Sequence, residues 1–436
     1  MSLNNIENIV VLVMENRAFG HLLGYRFDGH AHGATKLASS RFTPGPEHTY
    51  RHVAKQLAVK DGVPTMSGFT ADYATVDGVT IPEMVLGYYD QEIVRTYDYF
   101  ADNYLVCNRW FCAVPGPTMP NRCFLLAGHS DGIVENSHML FHLVSQGMPT
   151  LFDLLSAQGV QWRSYYHDAP FLWLFKQHLL KKDNIRPIRE FYSDAAQGKL
   201  KSVTWLDPNF TLQGALHLPL DPIMPGEPTL PDAANDDHPP ADIVRGQRLA
   251  FSIYKALRAS PQWDNTLLIL TYDEHGGFYD SCPPPLHPER APKGNTAFDR
   301  FGVRVPAFLI SRWVSRGATT HTSGTGPGVD YEHTSIARTI VDRFCPTANT
   351  DHLLERFKHA ASLGPLLQDV PLSREAPPKL AFPAYANERL AVGGFSRMPR
   401  QLGAIEQPGQ FHSIMSGLTA LASGKNVGGR HHQTNG

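Results

Sequence analysis

The sequence predicts an α/β protein with helices layered on a mostly parallel central sheet. Three observations predict it. Apolar runs that read as buried strands recur at Ile9–Met14, Val203–Leu206, Leu267–Thr271 and Val305–Ile310. Helical patterns lie between them, as at Ile243–Leu257 and Thr334–Phe344. The third observation is an acidic break at a strand end. The run that starts at Thr266 passes straight into Asp273, Glu274, His275, Gly276 and Gly277, and open α/β sheets bind ligands just beyond the carboxyl ends of their strands.

The chain has 436 residues, 42% of them hydrophobic, which is ample for a large core. A formal net charge of −2 gives no basis for binding nucleic acid. No stretch approaches the ~20 apolar residues of a membrane span. The first apolar run has no basic segment before it and ends in Glu15, so no signal peptide is expected. The expectation is a cytoplasmic protein, or one exported by a signal-independent route. Five cysteines, Cys107, Cys112, Cys123, Cys282 and Cys345, are odd in number and lack CxxC spacing. They predict buried free thiols and neither a disulfide scaffold nor a thiolate zinc site.

The first strand runs into Glu15, Asn16 and Arg17. A carboxylate and a carboxamide are hard oxygen ligands, suited to Ca²⁺ or Mg²⁺ and accepted by Mn²⁺; the alternative role is a helix cap. Asp273 and Glu274 would complete a four-oxygen site if the two strands are neighbours. Adjacent carboxylates are costly to bury unless a cation neutralises them; a solvated acidic loop is the other reading.

Thr118 stands where a helix could begin, with Pro120 tolerated in its first turn. It either caps that helix or serves as an alkoxide nucleophile, with the helix N-terminus favouring a phosphate. Arg122 or Asn121 would hold phosphate oxygens or position the loop. His238, in Asn235-Asp236-Asp237-His238, is a candidate proton donor or phosphate ligand, and the acids before it are candidate caps for Ile243–Leu257. His167 is a similar candidate. His333 either lies near the metal or merely precedes a helix capped by Thr334 or Ser335. A competing motif, Gly128-His129-Ser130-Asp131-Gly132, fits the serine-hydrolase elbow, but the segment before Ser130 reads as a helix and not as the required strand.

Residues 1–370 read as one catalytic domain, with long surface loops at 208–240 and 283–300. Residues 371–436 form a C-terminal extension with a short semi-apolar segment, Phe411–Ala422, and a disordered end of roughly ten residues.

Several segments are familiar together. Glu15-Asn16-Arg17-Ala18-Phe19-Gly20-His21 resembles the ENRSFDH opening of the phosphoesterase family that contains non-specific phospholipases C and a bacterial acid phosphatase. Arg109-Trp110-Phe111 with Val114–Arg122, Asn235–Pro240, Thr271–Asp280, Gly302–Pro306 and Glu332–Ser335 resemble further motifs in the family's order. The resemblance implies an alkaline-phosphatase-like three-layer α/β/α fold. It implies a metal-dependent phosphoric ester hydrolase, either a phospholipase C or an acid phosphatase, with a phospholipid or small phosphoester as substrate and transient contact with a membrane surface. A metal, calcium first with Mg²⁺, Mn²⁺ or Zn²⁺ as alternatives, would be held by Glu15, Asn16, Asp273 and Glu274. Thr118 falls on the nucleophile, and His167, His238 and His333 would surround the phosphate. Ala18 and Gly20 depart from the serine and aspartate of the opening motif, Met119 from histidine or glutamine, and Arg312 from the proline of an SPW segment.

Overall fold

A computed structural model describes residues 2–28, 34–179, 181, 183–210, 234–287, 298–320, 328–373 and 380. The expected loops at 208–240 and 283–300 lie partly outside these residues, and the extension from 371 lies almost wholly outside them.

Among the described residues seven strands form the central sheet: β1 (Asn8–Met14), β2 (Leu105–Val106), β3 (Trp162–Tyr166), β4 (Ile185–Pro187), β5 (Val203–Asp207), β6 (Thr266–Tyr272) and β7 (Ala307–Ile310). Their spatial order is β2-β7-β6-β1-β5-β3-β4. The β6-β1-β5-β3-β4 pairings are all parallel, while β7 runs antiparallel to both β6 and β2. Every residue of β1 and β6 is buried. A strand covered on both faces needs apolar side chains throughout, which is why these two read as unbroken runs. The run expected over Val305–Ile310 starts later, at Ala307, because Pro306 has no N–H to give the ladder.

Five helices matter for the site: α1 (Phe19–Phe27), α2 (Arg95–Asn103), α3 (Thr118–Ala127), α4 (Ile243–Ala259) and α5 (Thr334–Phe344). Helix α4 packs on α2 and on the helix Ile188–Ala196, whereas α3 packs on α5 and on the helices Asn136–Ser145 and Leu151–Ala157. These two groups flank the sheet and give the layered α/β architecture. Helix α4 is capped by Asp242, whose side chain accepts from the Val244 N–H at 2.9 Å. The acids at 236 and 237, expected as caps, are used elsewhere. Among the described residues no helix is long and apolar enough to cross a membrane. All five cysteines are free, and four are buried.

Gly246, in the second turn of α4, lies against the site-bearing edge of the sheet. A Cβ there would stand 1.9 Å from Asp237 Oδ1 and 2.7 Å from Met14 Cε. Asp237 cannot retreat, because its Oδ2 accepts from the Tyr97 hydroxyl at 2.5 Å and the Tyr272 hydroxyl at 2.6 Å, all buried. Alanine favours a helix interior over glycine by about 1 kcal/mol, yet Gly246→Ala is expected to destabilise the fold by roughly 2–4 kcal/mol through overpacking and lost buried hydrogen bonds. Urea unfolding checks this; a more stable variant would show that Asp237 is not locked.

Candidate active site

Strand register brings the acidic strand ends together. Met14 pairs with Tyr272, so the residues that follow, Glu15 and Asp273, leave adjacent strands side by side. Asn16 then turns back in a left-handed conformation (φ 56°), and its N–H donates to Asp273 Oδ1 at 3.2 Å. The Asp273 carboxylate also accepts from the Glu274 N–H at 2.7 Å. Gly276 (φ 65°) lets the next turn pass Asn16 closely; a Cβ would lie 2.4 Å from the Asn16 carbonyl oxygen. Asn16, Asp273 and Glu274 are almost completely buried, and Glu15 is 6% exposed.

Thr118 is the first residue of α3, not its cap. Pro117 holds the cap position, no side chain caps it there, and the Met119 N–H is taken by Asn136 Oδ1 at 2.8 Å. The half-buried Thr118 hydroxyl instead faces Glu15 Oε2 at 3.4 Å. Asn121 builds the loop that presents it. Its Oδ1 accepts from the Val114 N–H, and its Nδ2 donates to the carbonyls of Val114, Gly116 and Pro117. Of the two roles foreseen for Asn121, phosphate contact and loop positioning, its amide is committed to the second.

Arg122 is buried among carboxylates. It lies 2.6 Å from Glu15 Oε1, 3.4 Å from Asp273 Oδ2 and 3.6 Å from Asp207 Oδ1, between the rings of Phe171 and Phe210. Burial pushes the Asp273 carboxyl well above the usual range, and Glu15 adds to the shift. Burial raises Asp207 to about 6 despite Arg122. Burial also opposes ionisation of Glu274, but His48, His275 and the Gly276 N–H outweigh it and hold that carboxyl below its usual value.

The histidines divide into two kinds. His333 Nδ1 accepts from the Trp110 indole at 3.4 Å, so Nε2 carries the hydrogen and donates to the Asp273 carbonyl at 2.6 Å. Both nitrogens are committed, and burial lowers its pKa to about 4. It braces the backbone of Asp273, beside the carboxylates at the strand ends. His167 and His238 lie at the site edge of the sheet. His167 follows β3, its N–H donates to the Asp207 carbonyl, and its Nδ1 accepts from Asn235 Nδ2 at 3.0 Å, which leaves the ring hydrogen on Nε2. His238 Nδ1 donates to the Pro239 carbonyl at 2.6 Å. Burial, then the neighbouring His48, lowers His238 to about 4.

His48 was missed in the sequence. Its Nε2 lies 3.2 Å from Asn16 Nδ2 and 3.6 Å from Glu274 Oε1, and its ring centre is 6.1 Å from that of His238. Asp207 was also missed, although it ends the run at Val203–Leu206 as Asp273 ends its own. Ser130 is not a hydrolase elbow. It follows helix α3 through the left-handed Gly128, no strand precedes it, and its hydroxyl donates to the Ile133 carbonyl at 2.8 Å.

Two family-like segments have structural work. Asp280 accepts from the Gly20 N–H at 2.7 Å and pairs with Arg304 at 3.0 Å, so the departure at Gly20 still closes a backbone contact. Glu332 is buried, accepting from the Thr334 N–H at 2.9 Å through Oε2 while Oε1 accepts nothing. Burial raises it to about 7, against the pull of Arg356. The unfolded chain releases this proton near 4.5, so stability falls as pH rises from there to about 7. The expected loss is about 3 kcal/mol. Glu332→Gln is expected to remove that loss, so its stability advantage over the parent grows by this amount between pH 4.5 and 8. An advantage independent of pH in denaturant unfolding would contradict the assignment.

The sequence matches the Phosphoesterase family over residues 6–345. The chain belongs to the phosphoesterase family. The phosphoesterase is 35% identical to non-specific phospholipase C6 of Arabidopsis thaliana over 380 residues, covering 79% of this chain and 69% of that one. It is 34% identical to non-specific phospholipase C5 of the same plant, over 77% of this chain and 69% of the relative. The non-hemolytic phospholipase C of Pseudomonas aeruginosa is 24% identical over 79% of this chain and 54% of its own length. Among solved structures, the phosphonate monoester hydrolase of Agrobacterium radiobacter aligns with 78% of this chain and 73% of its own, at 12% identity and a TM-score of 0.36. Membership places the phosphoesterase among hydrolases of the phospholipase C type.

Proposed function

We propose that the protein is a metal-dependent phospholipase C that cleaves glycerophospholipids to diacylglycerol and a phosphorylated head group through a covalent intermediate on Thr118. The observation that carries this reading is the Thr118 hydroxyl 3.4 Å from Glu15, at a strand end shared with Asn16, Asp273 and Glu274.

Among the described residues no three His, Cys, Asp or Glu side chains form a ready-made metal cage. The four proposed ligands still fit a hard divalent cation by chemistry. They offer only oxygen donors, and the buried Asn16 Oδ1, Asp273 Oδ2 and Glu274 Oε1 accept no hydrogen bond. Arg122 supplies one positive charge to Glu15, Asp273 and Asp207, which leaves carboxylate charge for a cation. Calcium is the ion proposed from the family resemblance, the same oxygen donors also suiting Mg²⁺ and Mn²⁺, and when bound such an ion would lower the pKa of a nearby hydroxyl and draw charge from a phosphoryl oxygen.

Thr118 Oγ1 attacks phosphorus in line, and Glu15 Oε2 is the acceptor facing its hydrogen. The diacylglycerol oxygen leaves with the electron pair of the broken P–O bond. His238 delivers the proton to that oxygen through Nε2, because its Nδ1 is held by Pro239. A bound phosphate raises its pKa from about 4. His167, with its hydrogen on Nε2, steadies a phosphoryl oxygen. Water then attacks the phosphothreonine diester, His238 takes its proton, and the phosphorylated head group departs as Thr118 is restored. Asn121 and His333 act through the loop and the Asp273 backbone.

The substrate test compares para-nitrophenyl phosphorylcholine with para-nitrophenyl phosphate, with and without added Ca²⁺. Faster, Ca²⁺-dependent turnover of the diester is expected. Preference for the monoester would make the protein an acid phosphatase, and hydrolysis of neither would remove the proposal.

A further inference from the structure

We propose that Gln56 is a positioning residue for the cation site: through His275 it holds the Glu274 carboxylate with one oxygen left for the metal, on the reading above that Glu274 is a ligand. In the helix Tyr50–Leu57, Val53, Gln56 and Leu57 are the buried positions. Their spacing of three and four residues is that of a core stripe, where apolar side chains are expected. Gln56 stands on that stripe at 1% exposure. A buried amide is costly unless its hydrogen bonds are made.

Those bonds fix which way the amide points. Nε2 donates to the Glu47 carbonyl at 2.7 Å and to Asp72 Oδ2 at 2.8 Å. Both partners are acceptors, so turning the amide over would set oxygen against oxygen. Oε1 therefore faces His275 Nε2, at 2.9 Å, and the ring donates there. Asp72 is held in turn: its Oδ1 lies 2.9 Å from His52 Nδ1 and 3.7 Å from Nζ of the exposed Lys55. Phe69 stands edge-on to the fully buried His275 ring, with 6.2 Å between centres.

The ring so held puts Nδ1 3.3 Å from Glu274 Oε2. The Gly276 N–H donates to the same oxygen at 2.7 Å. Oε2 is thus held from behind, while Oε1 accepts no hydrogen bond. A run of contacts leads from Glu274 through His275 and Gln56 to Asp72 and the surface. Loss of the Gln56 acceptor would leave a buried His275 N–H unpaired, so the ring would shift and Glu274 would lose its brace. Groups that orient metal ligands in this way govern affinity by about 10–100-fold.

Calorimetric titration of the full-length protein with Ca²⁺ tests this. Gln56→Met keeps the bulk, changes no charge and removes all three hydrogen bonds. Its dissociation constant for Ca²⁺ is expected to rise at least about tenfold. Gln56→Asn keeps the amide but is one methylene too short to meet Glu47, Asp72 and His275 together. The same weakening is expected of it, which keeps the test valid if Gln56→Met fails to fold. A residue that serves stability alone would lower the unfolding temperature and leave the affinity of the folded protein unchanged. Ca²⁺ binding that is lost in Asp273→Asn yet as tight as the parent's in the folded Gln56 variants would overturn the role of Gln56 while sparing the cation site. Absence of Ca²⁺ binding in the parent, or binding that survives Asp273→Asn, would remove the cation site itself and this role with it.

Discussion

Thr118→Ala is expected to lower kcat on the phosphorylcholine diester by about 10³–10⁶-fold, the range found when a nucleophile is removed from a covalent catalyst. Folding should hardly change. Pro117, not Thr118, occupies the cap position of α3, so the substitution forfeits no capping bond. The lost contact is a long one, 3.4 Å to Glu15. Thr118→Ser keeps a hydroxyl at that point and should recover much of the rate. A rapid quench assay paired with thermal unfolding separates the cases. An alanine variant that is folded and nearly as fast as the parent would rule out Thr118 as the nucleophile.

Asp273→Asn is expected to act in two opposite directions. Activity should fall by about 10²-fold or more, since even outer-shell changes at metal sites cost 10–100-fold. The parent should gain about 2.7 kcal/mol of stability from Ca²⁺ at 100 times its dissociation constant, and the variant little or none. Without cation the order reverses. The Asp273 carboxyl is held well above its usual pKa by burial and by Glu15, so ionising it at neutral pH costs stability that asparagine does not pay. The carboxamide oxygen still serves the N–H groups of Asn16 and Glu274, which now meet Asp273 Oδ1 at 3.2 and 2.7 Å. A variant that responds to Ca²⁺ as the parent does would place the cation elsewhere.

The sequence made the centre of the sheet legible because β1 and β6 are buried on both faces. Strands β3 and β4 were not foreseen. They lie toward one sheet edge, where Arg163 pairs with Asp194 at 2.6 Å and the apolar run is broken. The four oxygen-bearing residues were legible as strand ends. Asp207 obeys the same rule and was overlooked. His48 had no such signal: it sits in a proline- and glycine-rich loop, and only long-range folding brings it to Asn16 and Glu274. Arg122 and His333 were recognised as belonging to the site, but their partners, carboxylates for one and a backbone carbonyl for the other, are set by packing between elements distant in the chain.

The central claim is a covalent intermediate on Thr118, and the most direct measurement is mass spectrometry of acid-quenched enzyme mixed with para-nitrophenyl phosphorylcholine. The account predicts a phosphorylcholine group on the peptide that carries Thr118, appearing within one turnover and absent from Thr118→Ala. Full turnover by the parent with that peptide unmodified at every quench time, and inversion of configuration at phosphorus in a chiral substrate, would contradict it.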